Sequence, residues 1–320
     1  MKLLLTGANG YVGSELLATL TAAGHEVWCV TRTARPLPGV PSTRQLVHDL
    51  RMPLAVAADD FDLVIHAAGA NDVQSRDPAE ALALTALTAR QCAEFAVRQK
   101  TPRLLYLSTF QVYGVDEGAV DESTPCRPRN DYALTHLFAE QWIEQYGRTH
   151  GLAYVLARPA NIAGMPRAGD MLRWTLAPGC FCRDAITQGR VLVRSTGLQQ
   201  RDFLPLREVA RQLSVIAGDF SDYANGIVNI CAGASLTIAE VAGIAADRFR
   251  AVFGRDCPLE FAPAPGAPTT AGAPLQVSGR YLEQHPADRL THARALELMN
   301  ESVDHTYHYL RAHAQLEMSR

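Results

Sequence analysis

"TGANGYVGSEL", residues 6–16, follows directly on the apolar run "KLLLT" (2–6) and opens a helical pattern. Gly7, Gly10 and Gly13 stand at a G-x-x-G-x-x-G spacing. Gly7 permits a tight turn, Gly10 lets the backbone approach a pyrophosphate, and Gly13 lets the helix pack close on the strand. Asn9, Tyr11 and Val12 complete the turn. A helix starting there offers free N–H groups and the positive end of its dipole to phosphate oxygens. Between a strand and a helix, such a turn reads as a dinucleotide-binding loop.

Outward from this loop, apolar runs alternate with longer helical patterns over the first 160 or so residues. Strands are expected at 2–6, 26–31, 45–49, 62–68, 103–109 and 153–159, and helices at 11–23, 79–99 and 131–149. Most of the strands are apolar throughout, as strands covered on both faces of a parallel sheet must be. The alternation predicts an α/β, Rossmann-like doubly wound parallel sheet. The pattern then loosens, with short strands near 191–194 and 227–231 and a helix from "SLTIAEVAGIAADRFRAVFG" that Thr237 and Glu240 close with a capping box. "APAPGAPTTAGAP" (262–274) reads as a flexible surface loop or lid, and a last helical region spans about 287–316. The expected division is a dinucleotide-binding domain over 1–163, with a returning segment at about 195–232. A smaller α/β substrate domain follows over 164–320.

Further along, "VIHAAGAN" (64–71), "STFQVYG" (108–114), "DYALTH" (131–136), "RPANIAG" (158–164) and "RDFLPLREVA" (201–210) complete a set of motifs. Together with the glycine loop they resemble the extended short-chain dehydrogenase/reductase family, whose members include nucleotide-sugar epimerases, dehydratases and ketoreductases. The resemblance runs over nearly the whole chain. It implies a cofactor site from the glycine loop, Ala67, Ala68 and Gly69 after the fourth strand, Thr85, Pro159, and Asp49 and Leu50 at the adenine ring. It also implies that Tyr132 exchanges a proton with a substrate oxygen, with Thr109 hydrogen-bonding the reacting carbonyl. Asn161 and Arg201 fall where relatives contact a nucleotide-sugar diphosphate, and Gln111 is placed in the sugar pocket. An ion pair of Arg201 with Asp202 is the structural alternative. A homodimer paired through the helices at 79–99 and 131–149 is implied as well.

Four departures carry information, Thr85 among them, where many relatives carry an asparagine in the fourth helix. The second strand ends in Thr31 and Arg32, with Arg35 nearby, where NAD-using relatives end in an acidic residue. Loss of the carboxylate removes repulsion against a 2′-phosphate, and an arginine adds a bidentate partner for one, so NADP(H) is favoured over NAD(H). The second departure is His136, where the family places the lysine that holds the nicotinamide ribose and acidifies the tyrosine. Tyr132 and His136 lie one helical turn apart on one face. An ordinary tyrosine titrates near 10, so proton abstraction at neutral pH needs a cation beside it, whereas proton donation does not. His136 therefore favours reduction of a 4-keto sugar over epimerisation, which needs both half-reactions. "TFQ" (109–111) lacks the acid and base of a 4,6-dehydratase, which is excluded. An epimerase with tightly held NAD and a non-catalytic dinucleotide sensor remain as alternatives.

The 320 residues suit two domains, and a formal net charge of −3 gives no reason to expect nucleic acid or an anionic membrane as partner. No apolar run reaches the roughly 20 residues that span a bilayer. The odd count of 7 scattered cysteines fits reduced thiols in a cytoplasm. Cys180 and Cys182 have no second ligand pair, and His305, His308 and His313 read as a solvated helix face, so no metal site is expected.

Overall fold

A computed structural model describes residues 1–34, 36–54, 60–166, 174–267 and 270–317. Arg35, the side chain of His313, and parts of the 164–190 and 262–274 stretches lie outside the described residues. The chain forms two compact units, and each has its own core.

The first unit comprises Met1–Gly114, Glu122–Pro159 and Arg207–Ile230. Its seven-stranded sheet runs in the order Gly226–Ile230, Ala153–Pro159, Arg103–Leu107, Leu63–His66, Lys2–Thr6, Glu26–Thr31, Gln45–Val47. Every pair in it is parallel. The middle strands are buried on both faces: Leu3, Leu4, Leu5, Leu104, Leu105, Leu156 and Ala157 expose nothing measurable. That burial is why they read as unbroken apolar runs. The third, fourth and fifth strands end two residues before the expected 49, 68 and 109. At each of these ends the chain leaves the sheet for a loop that carries predicted site residues.

The helix expected at 79–99 is not uniform. Asp77 caps a first turn, Pro78–Ala81, by accepting from the Ala79 and Glu80 N–H groups. A π-helical turn follows over Leu82–Leu87, and an α-helix over Thr88–Val97. The Thr88 hydroxyl lies 2.7 Å from the Leu84 carbonyl and 3.1 Å from that of Thr85, where the hydrogen-bond register changes. Asn130 caps the helix Asp131–His150, accepting from Ala133 N–H at 2.8 Å, and Gly151 ends it in a left-handed conformation.

The second unit comprises Val115–Asp121, Ala160–Leu206 and Cys231–Arg320. The strand Gln200–Pro205 pairs parallel with Asn161–Ala163 and antiparallel with Ser235–Thr237. The later segment of the first unit is Arg207–Ile230. Thr237 and Glu240 close the capping box on Ile238–Phe253. That helix packs with His292–Glu317 over a core including Phe181, Val241, Phe249, Val303 and Tyr307. His305 and His308 on the last helix are exposed.

Candidate functional site

In the glycine loop, the Gly7 carbonyl accepts from Gly10 N–H at 2.7 Å, and the helix Tyr11–Ala22 starts with no side chain capping it. A helix N-terminus without a side-chain cap is the arrangement that receives phosphate oxygens. Gly7 sits at φ +74, and a Cβ there would meet the Ala67 backbone at 2.7 Å. A Cβ on Gly13 would stand 2.0 Å from the Gly7 carbonyl oxygen, so only glycine lets this helix lean on the turn. Gly10 is different: its φ is −80, and a Cβ would only touch the Gly7 oxygen at 3.0 Å. Lack of a side chain there keeps the approach to the helix end clear. Gly13→Ala should cost about 1–3 kcal/mol or more of stability and at least tenfold in dinucleotide affinity. Gly10→Ala should leave the melting temperature nearly unchanged while weakening the dinucleotide. Thermal melts and fluorescence titration of both variants separate the two effects.

At the end of the second strand the Thr31 hydroxyl donates to the Thr33 carbonyl at 3.0 Å and accepts from Gln45 Nε2 at 3.1 Å. Thr31 is buried, and Arg32 is exposed. Asp49 is gripped by Arg51, whose Nε is 3.0 Å from each carboxylate oxygen. That hydrogen-bonded guanidinium holds the Asp49 carboxyl down at about 2, and Arg32 adds to the effect. Leu50 is buried against the sheet core. Two guanidinium groups therefore flank Asp49 at this edge of the sheet.

Ala67, Ala68 and Gly69 leave the fourth strand, and the Thr85 hydroxyl accepts from the next N–H, that of Ala70, at 3.0 Å. The π-helical turn carries Thr85 to this loop, a placement in keeping with the use of such turns at functional sites. Thr109 caps the short turn Phe110–Tyr113, its hydroxyl oxygen accepting from Gln111 N–H at 3.3 Å. The hydroxyl proton of Thr109 remains to be donated. The Gln111 side-chain carbonyl accepts from Asn130 Nδ2 at 3.2 Å, which fixes that amide beside the start of the Tyr132 helix.

Tyr132 and His136 are edge to face, with ring centroids 4.7 Å apart. His136 is buried, and its Nδ1 lies 2.7 Å from the Tyr106 hydroxyl. Tyr106 in turn stacks on His66 at 5.5 Å, its register partner on the neighbouring strand. The Thr6 and Thr88 hydroxyls lie 2.7 and 3.3 Å from the two ring nitrogens of His66. Burial depresses the His66 imidazole to about 3. The unfolded chain binds a proton below about 6.5 that the folded chain refuses, so stability is complete above that pH and is lost on acidification towards 3. The expected slope is about 1.4 kcal/mol per pH unit. His66→Gln should flatten that component of urea unfolding curves taken between pH 4 and 7.

Four residues beyond His136 on the same helical face, Glu140 makes a buried pair with Arg158. The contacts are 2.9 Å from Nε to Oε1 and 2.6 Å from Nη2 to Oε2. Ser108 donates to Glu140 at 2.5 Å, and the Arg158 guanidinium lies 4.7 Å from the Tyr113 ring centroid. Pro159 ends the same strand as Arg158.

Asn161 and Arg201 belong to the second unit, on paired strands where Asn161 faces Phe203. Arg201 does not pair with Asp202, the structural alternative weighed on sequence. It reaches Asp116 at 2.8 Å. Asp202 is fully buried and accepts from the Ala232 and Gly233 N–H groups at 2.8 Å each, so its carboxylate faces the wrong way for Arg201. Burial pushes the Asp202 carboxyl up to about 7 against those N–H groups and Arg289.

The parallel sheet thus gathers the loop glycines, Thr31, Arg32, Asp49, Ala67, Gly69, Thr85, Thr109, Tyr132 and His136 along the carboxyl ends of its strands. That is where open α/β sheets bind ligands. Sequence reasoning missed Tyr106, Arg51 and the Glu140–Arg158 pair. Tyr106 carried one signal, a polar tip inside an otherwise apolar strand. Among the described residues, no group of three or more His, Cys, Asp or Glu side chains could hold a metal. No helix among them is long and apolar enough to cross a membrane.

The family described as "NAD dependent epimerase/dehydratase family" matches residues 3–231. A GDP-6-deoxy-D-mannose reductase of Pseudomonas aeruginosa is 32% identical over 258 residues, 77% of this chain and 79% of the relative. An uncharacterized UDP-glucose epimerase, YtcB, of Bacillus subtilis is 24% identical over 312 residues, 91% of this chain and 94% of its own length. Among solved structures, the dTDP-glucose 4,6-dehydratase DesIV of Streptomyces venezuelae, with NAD and TYD bound, superposes at a TM-score of 0.79. That likeness, at 20% identity over 100% of both chains, concerns the fold.

Proposed function

This chain belongs to the NAD dependent epimerase/dehydratase family, and from that premise we propose that it is an NADPH-dependent reductase of a nucleotide-linked 4-keto sugar. Membership makes it an NAD(P)-dependent enzyme of the extended short-chain dehydrogenase type, which leaves reductase and epimerase to be distinguished. One observation carries the choice: an imidazole, not an ammonium, stands beside Tyr132. A phenol with no fixed cation beside it is suited to give a proton at neutral pH and poorly suited to take one. The reductase among the relatives supports the same reading.

The residues fit a dinucleotide. The glycine loop offers uncapped N–H groups for a pyrophosphate, and Gly69 leaves the floor below Thr85 and His136 free of a side chain. The nicotinamide, when bound, supplies the hydride to the keto carbon. Tyr132 gives its hydroxyl proton to the keto oxygen, which becomes the alcohol, and Thr109 donates a second hydrogen bond to that oxygen. The tyrosine left without its proton is then reprotonated from water. His136 holds the nicotinamide ribose. Asn161 and Arg201 hold the diphosphate, with Arg201 exchanging Asp116 for phosphate oxygens, and Gln111 borders the sugar.

Arg32, at the end of a second strand that carries no carboxylate of its own, supports NADP(H) over NAD(H), with Asp49 the carboxylate beside it. Arg32→Ala should raise the KM for NADPH about tenfold, the value of one charge-assisted hydrogen bond, and leave that for NADH unchanged. Equal KM values for NADPH in both proteins would remove the assignment.

The epimerase reading keeps one support, the long match to the YtcB relative. Purified protein, NADPH or NADH, and a panel of nucleotide-linked 4-keto-6-deoxy sugars decide between them. Substrate-dependent loss of nicotinamide absorbance establishes the reductase. Cofactor that stays bound through purification, with no net consumption, points instead to the epimerase or to the non-catalytic sensor. We propose further that the enzyme is a homodimer through its 78–97 and Asp131–His150 helices, on which Leu82 and Phe138 are 42% and 40% exposed. The seven thiols, none in a disulfide, suit a cytoplasmic setting.

A further inference from the structure

We propose that Tyr106 is a positioning residue whose hydroxyl holds His136 in the tautomer with its proton on Nε2, and so aims that N–H at the nicotinamide ribose. The inference rests on the reading above, that His136 stands in for the family's lysine. It adds how an imidazole is made to do that work.

Three observations support it. The Tyr106 hydroxyl is 2.7 Å from His136 Nδ1, and both residues are buried. Among the described residues, that nitrogen is the acceptor within hydrogen-bond reach of the phenol. Burial, with Glu140, Tyr132 and Cys92 adding to it, raises the Tyr106 phenol well above its ordinary range, so the phenol keeps its proton and donates it. A nitrogen that accepts from Tyr106 cannot also carry a proton, which leaves the ring proton on Nε2. The third observation is direction. A Cβ built on Gly69 would stand 3.6 Å from Thr85 Oγ1, 3.8 Å from His136 Cε1 and 4.0 Å from its Nε2, so the loop, the π-helical threonine and the ring edge that carries Nε2 border one space.

The competing states are disfavoured by the same geometry. An imidazolium would point a second N–H at a phenol that must then accept it, with its own proton left unpaired in the core. The Nδ1–H tautomer has the same fault and would turn a bare nitrogen towards the ribose hydroxyls. The stack of His66 on Tyr106 holds the phenol ring, and with it the hydroxyl oxygen, beside His136.

The test uses full-length protein with 15N-labelled histidine. Long-range 1H–15N correlation spectra separate protonated from bare ring nitrogens, and the His136 signals are those missing from His136→Gln. The expected wild-type pattern is a protonated Nε2 and a bare Nδ1. Tyr106→Phe, which removes only the hydroxyl, should give mixed tautomers. Its Kd for NADPH should rise about tenfold, the value of one oriented donor, with the Kd for ADP unchanged, because ADP does not reach the nicotinamide ribose. An Nδ1–H or doubly protonated His136 in the wild-type spectrum overturns the proposal, and that spectrum decides it even if Tyr106→Phe does not fold. A tautomer that shifts as expected with no change in NADPH affinity overturns instead the ribose role of His136. Equal losses for NADPH and ADP would show a structural role only and also overturn it.

Discussion

Tyr132→Phe should lower turnover of a nucleotide-linked 4-keto sugar by about 10²–10⁴-fold, with the KM values for cofactor and sugar changed by less than about threefold. The substitution removes one oxygen from a half-buried ring that otherwise packs edge-on against His136. It takes away the proton that the keto oxygen needs as hydride arrives, and nothing else nearby can supply it as well. Thr109 has the same chemistry but a far weaker acid, and its oxygen is tied to the Gln111 N–H. Steady-state rates with NADPH in excess measure the loss directly. A variant that retained most of its turnover would place the proton donor elsewhere and end the reductase mechanism as written.

Glu140→Leu should destabilise the first unit by about 3–5 kcal/mol, read as a lower urea midpoint and melting temperature. The change strands the guanidinium of Arg158, which is 3% exposed and whose ion pair is with Glu140. A lone buried charge is far costlier than the pair is beneficial, so Glu140→Leu combined with Arg158→Met should recover most of the stability. Activity should not return in the double variant. Ser108 donates to Glu140 and immediately precedes Thr109, while Tyr132, His136 and Glu140 follow each other at four-residue steps on one helix face. Glu140 therefore ties the loop bearing Thr109 to the helix bearing Tyr132, and an apolar substitute fills the volume without that alignment. Recovery of both stability and turnover would show the pair to be no more than core filling.

The glycine spacing, the doubly wound alternation and the capping box at Thr237 were all legible from residue order, because each is a short-range demand of the backbone. A turn needs its glycine wherever it occurs, and a strand covered on both faces must be apolar along its length. The same local logic placed Tyr132 and His136 on one face. Its limits are equally physical. The helix expected at 79–99 looks continuous by period, and only the loop after the fourth strand, which Thr85 reaches, explains the π-helical turn within it. The Arg201 partner also escaped, since Asp116 lies 85 positions away in sequence while Asp202 is adjacent and turned inward. Tyr106 is the clearest case. By sequence it is one aromatic in an apolar strand, and its meaning comes from two neighbours brought in by the fold, His66 across the sheet and His136 from a helix, and from the burial that keeps its proton in place. The sequence by itself determined which backbone shapes are possible and where a dinucleotide loop must fall. Only tertiary structure decided which buried polar groups meet, because hydrogen-bond partners in a core are set by packing across elements and not by spacing along the chain.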